Sequence, residues 1–131
     1  MHINVPITIA LLKESKMQLS FTQKKNVGII DVIGRLDAYN APDLRATYDQ
    51  VANKALNFVF NMQKCEFIDS TGLGTIVACL KSASQGGGDI HIANLQSKPR
   101  MVFDITRAHK IFHIFDDLEA AIESFEQDFD A

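Results

Sequence analysis

The stretch Asp69-Ser70-Thr71-Gly72 places two hydroxyl groups beside a carboxylate, between an apolar run and a segment with helical periodicity. A hydroxyl at the start of a helix lies near unpaired backbone N–H groups and the positive end of the helix dipole, which both favour negative charge. A phosphate on Ser70 would be accommodated there, and it would add about two negative charges and three acceptor oxygens. The same residue types are also typical of an ordinary helix N-cap.

A second polar stretch, Gly34-Arg35-Leu36-Asp37, follows an apolar strand and precedes a predicted helix. Loops of this kind collect at the carboxyl ends of parallel strands, where ligands and partners bind. We therefore expect Asp37 and Ser70 to share one surface despite their separation in the sequence. Taken alone, Asp37 has the residue type of a turn. Gly72 has no side chain, so the backbone of a partner or a nucleotide phosphate could approach closely there.

Ser70 is a poor candidate for a catalytic nucleophile. Such a serine needs a general base within hydrogen-bond reach, and hydrolases of this type carry Gly-x-Ser-x-Gly, whereas Ser70 lies in Ile-Asp-Ser-Thr-Gly. His91 and His113 fall within predicted strands and are interpreted as structural residues. The sequence therefore predicts a protein that is not an enzyme.

Two glycine-rich stretches, Gly72-Leu73-Gly74 and Gly86-Gly87-Gly88, are candidates for nucleotide binding. Neither continues into the Gly-Lys-Ser/Thr of a phosphate-binding loop, and the second follows a helix, which it serves to end. Cys65 and Cys79 form no Cys-x-x-Cys pair, and the four histidines are scattered along the chain, so no metal-ligand cluster is expected. We predict no cofactor and no metal, and nucleotide binding near Ser70 only as a weak secondary property.

The segments that position these motifs alternate between strand and helix. Alternation with period two marks strands, and apolar residues at i, i+3, i+4 and i+7 mark helices. Asn40 and Asp116 are the expected N-caps of the first and last helices, with Glu119 completing a capping box at the latter. The predicted strands are 18–24, 27–33, 56–62, 89–93 and 111–115. Two helices are predicted at 41–55 and 97–107. A third lies between the loop 63–70 and the triple glycine, and a fourth follows Asp116. The order β-β-α-β-α-β-α-β-α predicts an α/β fold, a mixed β-sheet with helices packed on it.

Composition and length limit the class of protein. The 131 residues are 47% hydrophobic and 22% charged, which is typical of one globular domain. The net charge of -3 argues against nucleic-acid binding, which needs a basic surface. The apolar run 3–12 lacks a basic n-region and a cleavage site, and it is shorter than the roughly 20 residues that span a membrane. We expect a cytoplasmic protein that binds no membrane, with residues 1–16 as an N-terminal extension and residues 17–131 as a single domain.

Several motifs together resemble the STAS domain of anti-sigma-factor antagonists. The resemblance covers roughly Met17 to Phe129, with the motifs in order and at the expected spacing. The run that begins at Asp69 is the most specific of them. The motifs are Gly34-Arg35-Leu36-Asp37, Asp69-Ser70-Thr71-Gly72-Leu73-Gly74, Gly86-Gly87-Gly88 and Phe103-Asp104-Ile105-Thr106. The resemblance implies a STAS-like fold for residues 17–131.

The resemblance also implies a partner-switching function. In that family a serine kinase of the GHKL type, which is also the anti-sigma factor, phosphorylates the serine that corresponds to Ser70, and a PP2C-type phosphatase removes the phosphate. The unphosphorylated form binds the kinase and releases its target. Asp37 is expected to contact the kinase, and Asp69 to orient the serine. The partner-binding surface implied in this way comprises Asp37, Asp69, Ser70, Thr71, Gly72 and Leu73.

Two alternatives stay open on the sequence. Thr71 also carries a hydroxyl group and is the alternative phosphorylation site. The same module could control an output other than a sigma factor, because the chain carries only the switch and the partner decides the pathway. Residues 1–16 have no counterpart in the family pattern.

Overall fold

The computed structural model describes the backbone of residues 17–130 and the side chains of residues 17–126. The predicted extension 1–16 lies outside the described residues. The strands are β1 (Gln18–Lys24), β2 (Val27–Leu36), β3 (Asn57–Asn61), β4 (Cys65–Ile68), β5 (Ile90–Ala93) and β6 (Ile114–Phe115). The helices are α1 (Ala41–Val51), α2 (Ser70–Gln85), α3 (Ser97–Ile105) and α4 (Leu118–Asp130), with 3-10 turns at Ala52–Lys54 and Ala108–Lys110.

The six strands form one mixed sheet with helices packed on it, as the sequence predicts. β1 and β2 form an antiparallel hairpin joined at Lys25 and Asn26, which both have positive φ, as a two-residue hairpin turn of this hand requires. β2, β3, β5 and β6 then lie side by side and run parallel. Within residues 17–130, no helix has the length and apolar character needed to cross a membrane.

One strand is absent from the sequence-based prediction. The sequence predicts a loop at 63–70, whereas β4 forms there and pairs in parallel with the end of β2. β3 ends at Asn61, so the last residues of β2 have an open edge, and Cys65–Ile68 occupies it. A strand of four residues is too short to show a convincing alternation, which explains the wrong prediction. The observed order is β-β-α-β-β-α-β-α-β-α.

Helices cover both faces of the sheet. α1, α2 and α3 contribute to a large apolar cluster on one face, and α4 contributes to a smaller cluster on the other. In β3, Phe58 and Phe60 belong to the large cluster and Val59 to the small one. All three side chains are fully buried, which confirms the prediction of a central strand covered on both faces.

The ends of several elements differ from the predicted ones. α1 ends at Val51, four residues before its predicted end. The chain instead forms the 3-10 turn Ala52–Lys54 there. α3 ends at Ile105, two residues before the predicted end. The predicted strand 111–115 shortens to Ile114–Phe115, because the chain forms the 3-10 turn Ala108–Lys110 before it. Such ends depend on tertiary contacts more than on periodicity.

One predicted N-cap is wrong, and the other is confirmed in position but lacks the capping hydrogen bond. Asp117 caps α4 in place of Asp116, since the N–H of Ala120 donates to Asp117 Oδ1 at 2.7 Å. Asn40 occupies the N-cap position of α1 but makes no capping hydrogen bond with its side chain. Its Nδ2 instead donates to the carbonyl oxygen of Arg35 at 2.9 Å, which ties the start of α1 to the end of β2.

Candidate functional site

The two polar stretches meet where β2 and β4 end. Arg35 pairs with Phe67 and Leu36 with Ile68, so the chain leaves both strands at the same edge of the sheet. The N–H of Asp69 then donates to the carbonyl oxygen of Leu36 at 3.3 Å. The loop after β2 and the loop after β4 therefore come together, as the sequence predicts for strand ends in a sheet of this kind.

Asp69 links the two loops through its carboxylate. Oδ1 accepts a hydrogen bond from the N–H of Gly72 at 2.8 Å and thereby caps α2. Oδ2 accepts a hydrogen bond from the N–H of Ala38 at 2.9 Å, in the turn after β2. The structure shows no hydrogen bond between the side chains of Asp69 and Ser70. Asp69 therefore fixes the start of the helix that carries Ser70.

Ser70 and Thr71 are the first two residues of α2, and both are exposed. Neither hydroxyl makes a hydrogen bond within the part of the chain that the structure describes. The Thr71 carbonyl oxygen, in contrast, accepts a hydrogen bond from Thr75 Oγ1 at 3.2 Å. The predicted position of Ser70 at a helix start is confirmed, and the structure shows that its side chain is open to solvent.

Gly72 and Leu73 face the interior. A Cβ atom added to Gly72 would collide with the carbonyl oxygen of Leu36, so the missing side chain lets α2 pack against the end of β2. The expectation that Gly72 leaves space for a partner is therefore wrong. Leu73 is 6% exposed and belongs to the large apolar cluster. The glycine that faces open space is Gly74, where an added Cβ would have no neighbour within 4 Å.

Asp37 is held in the turn between β2 and α1. Its Oδ1 accepts a hydrogen bond from the N–H of Asn40 at 3.0 Å, so Asp37 is also the turn residue that its type alone suggests. Its Oδ2 lies 3.7 Å from Nε of Arg35, whose guanidinium group stacks over the ring of Phe67 at 4.0 Å. The Asp37 side chain is 21% exposed. Asp37 thus presents part of a carboxylate to solvent in a fixed orientation.

Tyr39 lies in the same turn and is 70% exposed. Aromatic side chains are enriched in protein interfaces, so an exposed ring beside fixed polar groups extends the candidate surface. Sequence reasoning missed this residue, although an aromatic residue within a polar turn was a visible signal. We define the switch surface as Asp37, Tyr39, Ser70, Thr71 and Gly74.

The two buried cysteines, Cys65 and Cys79, are unreactive at neutral pH. Burial raises the pKa of Cys65 to about 11 and that of Cys79 to about 12. Both thiols are therefore protonated at neutral pH, and a protonated thiol is neither a nucleophile nor a metal ligand. The described part of the site offers binding groups and an exposed hydroxyl, without an activated nucleophile.

The histidines depart from the sequence-based expectation. The sequence suggests no ligand cluster, whereas the structure brings His91 and His113 together with Asp89. The ligand atoms of these three residues lie within 4.8 Å of one another. Parallel pairing of β5 with β6 makes this contact, and because it joins distant segments no local spacing could reveal it.

The family model of the STAS domain matches residues 18–121, a range that includes the whole switch surface. The chain belongs to the STAS domain family. The resemblance drawn from the motifs is confirmed.

Proteins similar to this STAS domain include anti-sigma factor antagonists. The anti-sigma-B factor antagonist of Bacillus subtilis (strain 168) is 29% identical over 101 residues, which cover 77% of this chain and 93% of the relative. A Thermotoga maritima structure, described as a candidate anti-sigma factor antagonist, is 28% identical with a TM-score of 0.75 over 81% of this chain and 92% of that one. Phosphorylated SpoIIAA of Bacillus, at 20% identity and a TM-score of 0.64 over 83% of this chain and 98% of that one, has the same fold as this STAS domain.

Proposed function

We propose that this STAS domain is a phosphorylation-controlled anti-sigma-factor antagonist. Its unphosphorylated form binds a serine-kinase anti-sigma factor of the GHKL type in the cytoplasm and thereby releases the target of that factor. Phosphorylation of Ser70 abolishes the binding, and a PP2C-type phosphatase restores it. The observation that carries the proposal is the exposed Ser70 hydroxyl at the start of α2, tied to the Asp37 loop by the Asp69 carboxylate.

Ser70 has the accessibility that a kinase substrate needs. Its side chain is exposed, and within the described residues its hydroxyl makes no hydrogen bond that phosphorylation would have to break. The backbone around it is fixed by Asp69, which accepts hydrogen bonds from the first turn of α2 and from the turn after β2. A rigid frame around an exposed hydroxyl supports recognition of folded protein by a kinase, because little ordering entropy is lost on binding.

A phosphate on Ser70 would change the charge of the surface while leaving the fold intact. The N-terminus of α2 favours negative charge, so the phosphate is tolerated by the helix that carries it. Asp37 and Asp69 already place two carboxylates nearby, and about two further negative charges would make this edge strongly acidic. A partner that docks here with an acidic or apolar patch would then be repelled.

The test uses a kinase obtained with the protein itself. A pull-down with the Ser70→Ala variant, which binds but cannot be phosphorylated, is expected to trap the kinase. Incubation of the wild-type chain with that kinase and ATP should add one phosphate, which mass spectrometry locates on Ser70. The Thr71→Ala variant should be phosphorylated like the wild type.

Two results would contradict the proposal. One is phosphorylation of the Ser70→Ala variant together with loss of phosphorylation in the Thr71→Ala variant, which would make Thr71 the modified residue. The other is a trapped kinase that binds the wild-type chain and never phosphorylates it. If the trapped kinase holds a protein that is not a sigma factor, the same switch serves the alternative output.

A further inference from the structure

Three potential ligands lie at the edge of the sheet opposite to the switch surface. Asp89 and His91 stand at the amino end of β5, whereas Ser70 follows the carboxyl end of β4, and both strands run parallel to β2. His113 directly precedes β6, which pairs with β5. One ligand atom from each of the three side chains lies within 4.8 Å of the other two.

Ser124 contacts one of the two ring nitrogens of His91. Its Oγ lies 2.6 Å from the carbonyl oxygen of Ala121 and 2.7 Å from His91 Nδ1. When the hydroxyl proton of Ser124 goes to Ala121, Oγ accepts from His91, and the ring then carries its proton on Nδ1. The other ring nitrogen, Nε2, lies 3.2 Å from Asp89 Oδ2.

The tautomer with the proton on Nδ1 leaves the lone pair of Nε2 facing Asp89 Oδ2. Two acceptors at this distance repel each other, and a metal ion bound by both atoms removes the repulsion. A ring that binds a metal through one nitrogen while donating from the other is the usual state of a metal-bound histidine.

The three side chains are fixed to different degrees. His91 is 4% exposed, and its ring stacks on that of Phe125 with the centroids 3.9 Å apart. Asp89 Oδ1 accepts a hydrogen bond from the N–H of Ile90 at 2.8 Å, which leaves Oδ2 towards His91. His113 is exposed, so its ring can adjust its position and leaves one side of the cluster open to water.

We propose that Asp89, His91 and His113 form a zinc site. Two imidazoles and one carboxylate suit Zn²⁺, with water as the fourth ligand. Tetrahedral zinc with bonds of about 2.0–2.2 Å separates its ligand atoms by about 3.3–3.6 Å. His91 Nε2 and Asp89 Oδ2 are already 3.2 Å apart, so binding needs only an adjustment of the Asp89 carboxylate and of the exposed His113 ring around the fixed His91.

The zinc site would stabilise the docking of α4 on the sheet. Ser124 and Phe125 belong to α4, and both hold His91 in place. Zinc bound to His91 therefore strengthens the contact between β5 and α4. This role is independent of the proposed phosphorylation, because Ser70 lies at the other edge of the sheet.

Calorimetry with the full, tag-free chain and ZnCl₂, after removal of metals with a chelator, tests the proposal. We expect one Zn²⁺ per chain, and a rise in Tm when zinc is added. His113→Ala, at an exposed position, should fold normally, bind zinc at least about tenfold more weakly and lose the rise in Tm. Asp89→Asn keeps an oxygen acceptor for Ile90 but removes the charge, and it should show the same loss.

The matched control is His109→Ala, which removes another exposed histidine, outside the cluster, and should bind zinc like the wild type. Ser70→Ala should also bind normally. Absence of zinc binding by the wild type would overturn the proposal and leave a hydrogen bond from the Nε2–H of His91 to Asp89. Zinc binding that is unchanged in His113→Ala and Asp89→Asn would overturn it as well.

Discussion

At the scale of single residues, Ser70 is placed by hydrogen bonds that it does not make itself. The Asp69 carboxylate accepts from Gly72 and from Ala38, and so holds the helix start and the neighbouring turn together. The exposed hydroxyls of Ser70 and Thr71 take no part in these hydrogen bonds. Substitutions of Ser70 are expected to change the charge of the surface with little effect on folding.

The charge on residue 70 should decide kinase binding. Ser70→Asp and Ser70→Asn introduce side chains of nearly equal size, and only the former is charged. Ser70→Asp is expected to weaken kinase binding by about 2 kcal/mol, since an unpaired charge in an interface is costly. Ser70→Asn should bind much more tightly than Ser70→Asp in calorimetry. Equal affinities for the two variants would show that size, rather than charge, operates the switch.

Gly72 and Gly74 form a matched pair in the first turns of α2. Gly72→Ala should lower the free energy of unfolding by about 2 kcal/mol, because the new Cβ collides with the Leu36 carbonyl oxygen. Gly74→Ala should raise it by about 0.5–1 kcal/mol, because an exposed helical glycine is replaced by the best helix former without any collision. Urea denaturation measures both values. A stabilised Gly72→Ala variant would contradict the inward orientation of Gly72.

At the scale of elements, β2 pairs with two different strands along the same edge. Its first part pairs with β3 and its end pairs with β4, and the register shifts between Gly34 and Arg35. Gly34 has φ of 103°, a conformation that side chains rarely adopt, and its N–H donates to the carbonyl oxygen of Lys64 at 2.8 Å. This glycine lets β2 turn towards β4, and so brings the loops of the switch surface together.

Gly34→Ala is expected to disturb both stability and partner binding. The positive φ should cost about 1 kcal/mol or more of unfolding free energy, and the altered path of β2 should move Asp37 relative to Ser70. Gly87→Ala is the control, because Gly87 also has positive φ, of 88°, but lies in the turn after α2. Both variants should unfold at lower urea concentration, and only Gly34→Ala should weaken kinase binding. Equal kinase affinities of the Gly34→Ala and Gly87→Ala variants would show that the irregularity of β2 does not affect partner binding.

At the scale of the whole molecule, the buried thiols couple stability to alkaline pH. Burial raises the pKa of Cys65 to about 11 and of Cys79 to about 12, above the value near 9 of an unfolded thiol. The folded state therefore holds these protons more tightly than the unfolded state does. Their contribution to stability is complete below about pH 9 and is lost as the pH rises towards 11 and 12.

Urea denaturation under reducing conditions at pH 8 and pH 11 tests this coupling. Ionisation of each unfolded thiol should remove about 2 kcal/mol of unfolding free energy at pH 11. The double variant Cys65→Ala/Cys79→Ala should be less stable at pH 8 but lose less stability between the two pH values. Tyr48, whose pKa is raised by burial and by the neighbouring Cys79, is present in both proteins, so the difference between them reports the thiols together with their coupling to Tyr48. The same loss in both proteins would refute the contribution of the thiols.

The part of the fold that sequence reasoning captured depends on local patterns. The apolar run around Phe58 predicted a strand covered on both faces, and the periodicity after Leu73 predicted α2. Strand β4 was not predicted, because four residues are too few to show an alternating pattern. The N-cap of α4 was predicted at Asp116 but lies at Asp117, because neighbouring aspartates have the same capping tendency.

Local patterns in the sequence predicted the order of most elements, the family motifs and a hydroxyl group at a helix start, because each of these follows from neighbouring residues. Three features follow only from the tertiary structure. They are the inward orientation of Gly72, the hydrogen bond between Asp69 and Ala38, and the contact between His91 and His113. Asp69 and Ala38 are 31 residues apart, and His91 meets His113 only through the pairing of β5 with β6. Contacts of this kind depend on strand register, which sets neighbours across the sheet and leaves no trace in local spacing.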